Sequence, residues 1–222
     1  MIAEYIPMPG IVGPLPLYPA GDAQQDGSLP ADESRNPRYM KFCSHCGQPV
    51  TERIPQGDTR PRFICDACQF VHYQNPRIVA GCLVTEERYV LLCRRAIEPR
   101  HGFWTLPAGF MENGETTEEA ALRETWEDAP ARTRDQQLSM LYNPPHINPV
   151  YMFFRGQLAD GEFAPGEESL EVRLFSEAEI PWDQLAFPTI GKTLRQYYRD
   201  YPSQQFPVRM RDITWPPGYT TR

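Results

Sequence analysis

The stretch from Gly109 to Ala131, GFMENGETTEEAALRETWEDAPA, limits this chain more than any other. Residues 115–129 contain no Gly or Pro and are rich in Glu, Ala, Leu and Arg, so they favour a helix. Asn113-Gly114 in front of them is a turn signal. On a helix Glu124, Glu127 and Asp128 occupy positions i, i+3 and i+4, on one face, with Cβ atoms roughly 5–6 Å apart. Like charges at that spacing repel, and a helix that keeps them needs a neutralising partner. A hard divalent cation suits that purpose, because magnesium takes oxygen ligands and bridges carboxylates to substrate phosphates. A solvated acidic face is the commoner origin of a Glu-rich helix. Arg123 inside the cluster and the glycine-bearing lead-in favour the metal.

Four of the six cysteines form two pairs, Cys43-x2-Cys46 and Cys65-x2-Cys68, with 18 residues (47–64) between them. Two short knuckles of this kind can offer four thiolates to one tetrahedral Zn2+. Gly47 and Gln48-Pro49 fit a knuckle turn. Four Cys ligands leave no open position, so such a zinc holds structure and does not catalyse. Redox disulfides or unliganded thiols are the alternatives. His72 is a further candidate ligand, for which packing is the expected role, and Cys82 and Cys93 sit in apolar runs as expected core thiols.

The 222 residues suffice for one good core and a small satellite domain. A net charge of −7 and a pI near 5.2 speak against broad binding to nucleic acid or anionic membrane. No stretch is long and apolar enough to span a bilayer. Glu4 and the lack of early Lys or Arg differ from a signal peptide's start, so a cytoplasmic location is expected.

Residues 1–39, with seven prolines and no periodicity, read as a flexible arm. Residues 40–74 form the candidate zinc ribbon, with short strands at 62–64 and 70–73. Residues 75–201 read as one α+β domain: strands at 78–84 and 89–93 around a Glu86-Glu87-Arg88 turn, further strands at 150–158 and 172–175, and a second helix near 189–200. Residues 202–222, with four prolines, read as an irregular tail.

The spacing Gly109-x5-Glu115-x7-Arg123-Glu124-Thr125-Trp126-Glu127-Asp128 resembles the Nudix box, G-x5-E-x7-R-E-U-x-E-E-x-G-U with U bulky and aliphatic. That box marks hydrolases that split a diphosphate joined to a nucleoside. Three positions depart from it: Asp128 replaces the last Glu, Pro130 stands where Gly is usual, and Thr125 fills an aliphatic slot. A helix-ending Gly normally has positive φ, which a proline ring opposes.

The resemblance implies an α/β/α sandwich with a mixed sheet, preceded by a small zinc ribbon, and a reaction dependent on Mg2+ or Mn2+. It assigns Glu124, Glu127 and Asp128 as metal ligands or water activators, with Arg123, helped by Glu115, orienting them. The backbone carbonyl of Ala108 is implied as another metal contact. A further carboxylate is expected from residues 166–175, with Glu168 as first choice for ligand or general base and Glu171 as second. Phe110 is the expected stacking surface for the base, and Arg94 and Arg95 are candidate phosphate contacts, whereas Trp104 and Trp126 are expected in the core.

Residues 41–190 as a whole look like bacterial zinc-ribbon Nudix proteins and plant plastid enzymes acting on FAD and ADP-ribose. The implied partner is therefore a small nucleotide, cleaved to AMP plus ribose 5-phosphate or AMP plus FMN. NADH pyrophosphatases also carry a ribbon, but their SQPWPFPxS array is replaced here by residues 143–149, NPPHINP, which puts NADH second. A non-catalytic Nudix binding module is the rival from another class, with Asp128 and Pro130 in its favour. Hydrolysis of dinucleotide caps on RNA would require a basic groove. Related enzymes are often homodimers, and that is carried over as an expectation.

Overall fold

The two Cys-x2-Cys segments fold alike. In the first, the Cys43 amide donates to Gln48 O (2.7 Å) and Gly47 N to Cys43 O (2.9 Å); in the second, Cys65 N donates to Phe70 O (3.0 Å) and Gln69 N to Cys65 O (2.9 Å). Each turn needs a left-handed residue four places after its first cysteine. Gly47 supplies it at φ +73° without steric cost, while Gln69 adopts +60°. Strands β1 (Val50–Arg53), β2 (Arg62–Cys65) and β3 (Val71–His72) run antiparallel in the order β1-β2-β3, pairing Val50 with Cys65 and Phe63 with His72. The sheet thus brings the second knuckle to the end of the strand that follows the first.

The computed structural model describes residues 40–145 and 147–213, so the arm expected at 1–39 and residues 214–222 lie outside it. The described chain divides between His72 and Tyr73 into two units. Among the described residues no helix is long and apolar enough to cross a membrane.

The second unit is built on strands β4 (Arg77–Glu86), β5 (Tyr89–Arg95), β6 (Trp104–Thr105), β7 (Ala108–Phe110), β8 (Thr133–Asn143), β9 (Pro149–Leu158), β10 (Ser169–Phe175) and β11 (Arg209–Asp212). Their main order is β10-β5-β4-β9-β8-β11, with β6 beside β5 and β7 beside β4. The β4–β9 and β8–β11 pairs are parallel and the others antiparallel, so the sheet is mixed. Helix α1 (Thr117–Asp128) and helix α2 (Pro188–Asp200) cover opposite faces. Period-2 alternation sorts the side chains. Ala80, Cys82 and Val84 of β4 with Leu91 and Cys93 of β5 pack on Ala120 and Ala121 of α1. Leu83, Val90 and Leu92 pack instead with Ile190, Leu194 and Tyr197 of α2. This is the expected α/β/α sandwich.

Cys82 and Cys93 are buried as expected; burial pushes the Cys82 thiol up to about 12 and raises Cys93 as well. Five strands stand where the sequence reading has none: β1, β6, β7, β8 and β11. β8 reads TRDQQLSMLYN without clean alternation, because its register against β9 shifts between Arg134 and Gln137 and again between Leu138 and Met140. Each shift moves the inward set by one residue. β11 corrects the expectation of a wholly irregular tail at 202–222: Arg209–Asp212 pair in parallel with Met140–Asn143. Its place comes from a distant partner and not from a local signal.

Candidate active site

Helix α1 starts on a capping box. Thr116 Oγ1 accepts from Glu119 N (3.2 Å) and Glu119 Oε2 accepts from Thr116 N (2.7 Å). Glu118 and Glu119 complement the positive end of the helix dipole. The other end is electrostatically wrong: Glu124, Glu127 and Asp128 crowd the last turns, and no basic residue sits in the last turn. Such an arrangement costs helix stability and points to a role outside folding.

Arg123 is the local counterweight. Its Nε and Nη2 donate to the two Glu115 oxygens (3.1 and 2.8 Å), Nη1 donates to Glu124 (2.8 Å) and Glu127 (3.0 Å), and Nη2 also reaches Phe110 O (3.1 Å). The Arg123 hydrogen bonds hold the Glu115 carboxyl below its usual range. Burial raises Glu124, opposed by Arg123 and reinforced by Glu127 and Glu168. The Glu127 side chain is 54% exposed against 13% for Glu124, so Glu127 is the acid presented to solvent.

Asp128 turns back toward the strand before the helix, where its Oδ2 accepts from Ala108 N at 3.1 Å. Burial pushes its pKa to about 7; that amide and Arg95 lower it, while Glu124 and Glu168 raise it further. Ala108, expected to offer its carbonyl to a metal, thus also engages an acid through its amide, a contact that the sequence reading did not foresee.

Two glycines make this packing possible. A Cβ on Gly109 would lie 2.2 Å from Glu124 Oε2, and one on Gly81 would lie 2.3 Å from Ala108 Cβ and 2.6 Å from Pro107 O. β7 is thereby pressed between β4 and the acidic face of α1. At the far end of α1, Gly166 N donates to Asp128 O and Ala164 N to Ala129 O, both at 3.0 Å. These bonds satisfy helix-end carbonyls that a glycine cap would otherwise engage. A Cβ on Gly166 would lie 1.7 Å from Glu127 O. Pro130, where a glycine is usual, follows directly after this end of the helix.

The 166–175 candidates separate. Glu168 acts electrostatically on Glu124, Asp128 and Arg95, whereas Glu171 pairs with Arg94 at 3.9 Å. Arg94 also donates to Gly102 O (3.0 Å), so it is Arg95, and not Arg94, that shares a field with the carboxylates. Phe110 is 47% exposed, with the Arg77 guanidinium 4.3 Å above its ring, beside a 360 Å3 cleft that both line. Arg77 was not singled out by sequence, though its place at the start of the strand paired with Phe110 is a usable signal. Thr125 is fully buried and donates to Ala121 O (2.7 Å), which settles a hydroxyl in an aliphatic slot. Trp104 is in the core as expected. Trp126 is not: it is 49% exposed, with Arg132 5.4 Å from its ring, because its position faces away from the sheet.

The sulfurs of Cys43, Cys46, Cys65 and Cys68 lie within 4.8 Å of one another. Cys46 and Cys65 are 3.4 Å apart, Cys43 and Cys68 3.7 Å. Amides of the knuckles point at sulfur: His45 N to Cys43 (3.4 Å) and Cys68 N to Cys65 (3.5 Å). The latter contact brings the Cys65 thiol down to about 7. His72 is buried, with Nε2 3.3 Å from Cys43 Sγ, so it supports a ligand and does not replace one. Four soft donors gathered around one point fit zinc.

A family model described as "Nudix N-terminal", a zinc ribbon, matches residues 41–74, and one described as "NUDIX domain" matches residues 75–201. The chain belongs to the NUDIX family. It is similar to the crystal structure of a NUDIX hydrolase from Nitrosomonas europaea, with 52% identity, a TM-score of 0.74, and coverage of 78% of this chain and 100% of that one. Among curated relatives it is 30% identical over 132 residues to the NAD-capped RNA hydrolase NudC of Chromobacterium violaceum (59% of this chain, 48% of that protein). It is 29% identical over 131 residues to the ADP-ribose pyrophosphatase of Methanocaldococcus jannaschii (57% of this chain, 76% of that protein). The chain thus spans about half the length of that NudC. It carries a NUDIX domain preceded by a zinc-ribbon segment.

Proposed function

We propose that the NUDIX unit hydrolyses the diphosphate bond of nucleoside diphosphate derivatives, with ADP-ribose or FAD as substrate and AMP as common product. The observation that supports this reading is that Glu127 and Glu168 act on Glu124, and Glu124 and Glu168 on Asp128, whose buried carboxyl is raised to about 7. Hard oxygen donors with unneutralised charge fit Mg2+ or Mn2+. Glu124, Glu127, Asp128 and Glu168, with the Ala108 carbonyl, would hold the ion. The bound ion neutralises phosphate oxygens and lowers the pKa of water.

The chain's own groups supply the rest. Glu127, more exposed than Glu124, would be the ligand more open to solvent. Arg123 keeps Glu124 and Glu127 aimed by charge-assisted bonds. Glu168 accepts the proton of the attacking water. Phe110 and Arg77 offer a flat aromatic face and a cation beside it for the base, and Arg95 meets a phosphate oxygen. The zinc of Cys43, Cys46, Cys65 and Cys68 is structural. A cytoplasmic setting, which keeps thiols reduced, suits such a ribbon.

ADP-ribose leads because the relative of that activity is matched over 76% of its length. The second reading, cleavage of NADH or of an NAD cap, is favoured by the NudC likeness, which extends over only 48% of that protein. The deciding experiment is AMP release from ADP-ribose, FAD, NADH and NAD+ with Mg2+ or Mn2+, compared as kcat/KM. Preference for ADP-ribose or FAD supports the first reading and preference for NADH the second. Silence across the panel, with metal binding shown separately, would favour a non-catalytic binding module.

A further inference from the structure

On the face of the sheet opposite α1, helix α2 and strand β11 enclose a 330 Å3 pocket whose rim is strongly basic in a chain of net charge −7. Lys192, Arg195 and Arg199 stand at i, i+3 and i+7 of α2, one exposed face, and Arg211 of β11 faces them across the pocket. Tyr142 also lines the pocket; burial raises its hydroxyl, opposed first by the hydrogen bond from Thr193 (3.1 Å) and then by Arg211.

Among the described residues, no ion pair neutralises these four cations. Asp200, at the end of α2, is held by Arg209 at 3.0 Å; Asp212, which also lines the pocket, accepts from Asn143 at 3.2 Å and leaves one carboxylate beside the four cations. Arg195 lies 4.2 Å over the Trp182 ring, a contact that fixes the side chain without cancelling its charge.

Four like charges converging on a concavity repel one another, and α2 would fold as well with neutral residues at these exposed positions. We infer that this pocket is a second anion site, separate from the carboxylate face, that binds a chain of phosphates. Lys192 and Arg199 are separated by roughly 10 Å along the helix, which suits an extended anion with several charges better than a single small ion. Arginine forks grip phosphate oxygens in pairs, and lysine adds a point charge. The source is a free oligophosphate, including that of a nucleotide, or the backbone of a short single strand of nucleic acid. The site does not depend on the hydrolytic reading of the opposite face.

The test measures binding of tripolyphosphate by calorimetry and of a labelled ten-nucleotide RNA by anisotropy, on the full chain. It compares wild type, Glu127→Gln, the triple variant Lys192→Ala/Arg199→Ala/Arg211→Ala, and the single Arg199→Glu. The substituted cations are exposed, and equal melting temperatures would show that the fold is kept. The expected result is binding that weakens tenfold or more in the triple variant, falls in Arg199→Glu, and is unchanged in Glu127→Gln. Binding of tripolyphosphate names a free oligophosphate as the source; binding of RNA alone names the strand. The inference is overturned if neither probe binds, if the basic-face variants bind as wild type does, or if an oligoglutamate of equal charge binds as tightly.

Discussion

The ribbon and the acidic helix are two ligand sets built on opposite plans. In the ribbon, two backbone turns gather four sulfurs to within 4.8 Å of one another, and amides and His72 are already aimed at them. On α1 the carboxylates are held by other protein groups: Arg123 takes Glu124 and Glu127, and the Ala108 amide takes Asp128. The ribbon's geometry is specified by main chain, as a permanent structural ion requires. The helix keeps its acids in a charged balance that another cation could shift, which suits the proposed role of an ion that arrives with substrate.

The largest expected effect lies on the ribbon side. Structural zinc contributes folding free energy on the order of 10 kcal/mol. Chelation, or Cys65→Ser, should therefore abolish hydrogen-exchange protection of the amides in β1, β2 and β3. Protection that persists in zinc-free protein would show that the sheet holds the sulfurs without metal, and the contrast would fail.

Next comes Glu127→Gln, which removes a ligand charge from an exposed position. Turnover should fall by more than about 100-fold, beyond the 10–100-fold typical of outer-shell partners, with the melting temperature unchanged. Near-wild-type turnover would sink the assignment of α1 as the catalytic face. Arg123→Lys should cost less, about 10–100-fold in kcat, since a lysine cannot span Glu115, Glu124 and Glu127 together. A metal titration should show weaker metal binding in this variant; unchanged affinity would mean that Arg123 does not aim the acids.

A pH experiment sharpens the contrast further. Asp128 has a folded-state pKa near 7, above its ordinary 3.8, so its neutral form suits the fold. The stability it contributes is full below pH about 3.8 and is lost as pH rises through about 7. Metal-free wild type should therefore lose melting temperature between pH 5 and pH 8 (roughly the span of that titration) more than Asp128→Asn does. Saturating Mg2+ should remove the difference. Parallel pH profiles for the two proteins would count against the buried-carboxyl account.

The smallest effect is expected from Pro130→Gly. Combined with Asp128→Glu it restores the usual residues of the box and should raise turnover; a double variant no faster than wild type would show that the departures are already accommodated.

What could be read in advance was whatever rests on local spacing. The cysteine pairs, the acidic face of α1 and the apolar runs of β4, β5 and β9 all follow from short-range periodicity, and the structure has them. What escaped depends on distant pairing. β11 exists because β8 offers a parallel edge, and β8 hides behind its own register shifts. Arg95 and Arg94 are adjacent in sequence, yet one shares the field of Asp128 and Glu168 while the other pairs with Glu171 across the strand. Trp126 has the composition of a core residue and the position of a surface one. The basic face of α2 is spread across two elements, so no single stretch displays the groove that the sequence reading lacked.

Gly166 sets where this chain can change length. Its Cα is seated against the main chain at Glu127, and Ala164 and Gly166 are both bonded to the end of α1, so the loop is moored through main-chain atoms that any side chain at Gly166 would push apart. Residues inserted at Asp160-Gly161-Glu162, an exposed turn upstream of the mooring, would be spooled out into solvent. A single residue added between Gly166 and Glu168 has no such slack: Ser169 N is tied to Gly166 O, and the Glu168 carbonyl to Ala96 N. The acid would be carried out of reach of its neighbours. Length is negotiable on one side of a single glycine and fixed on the other.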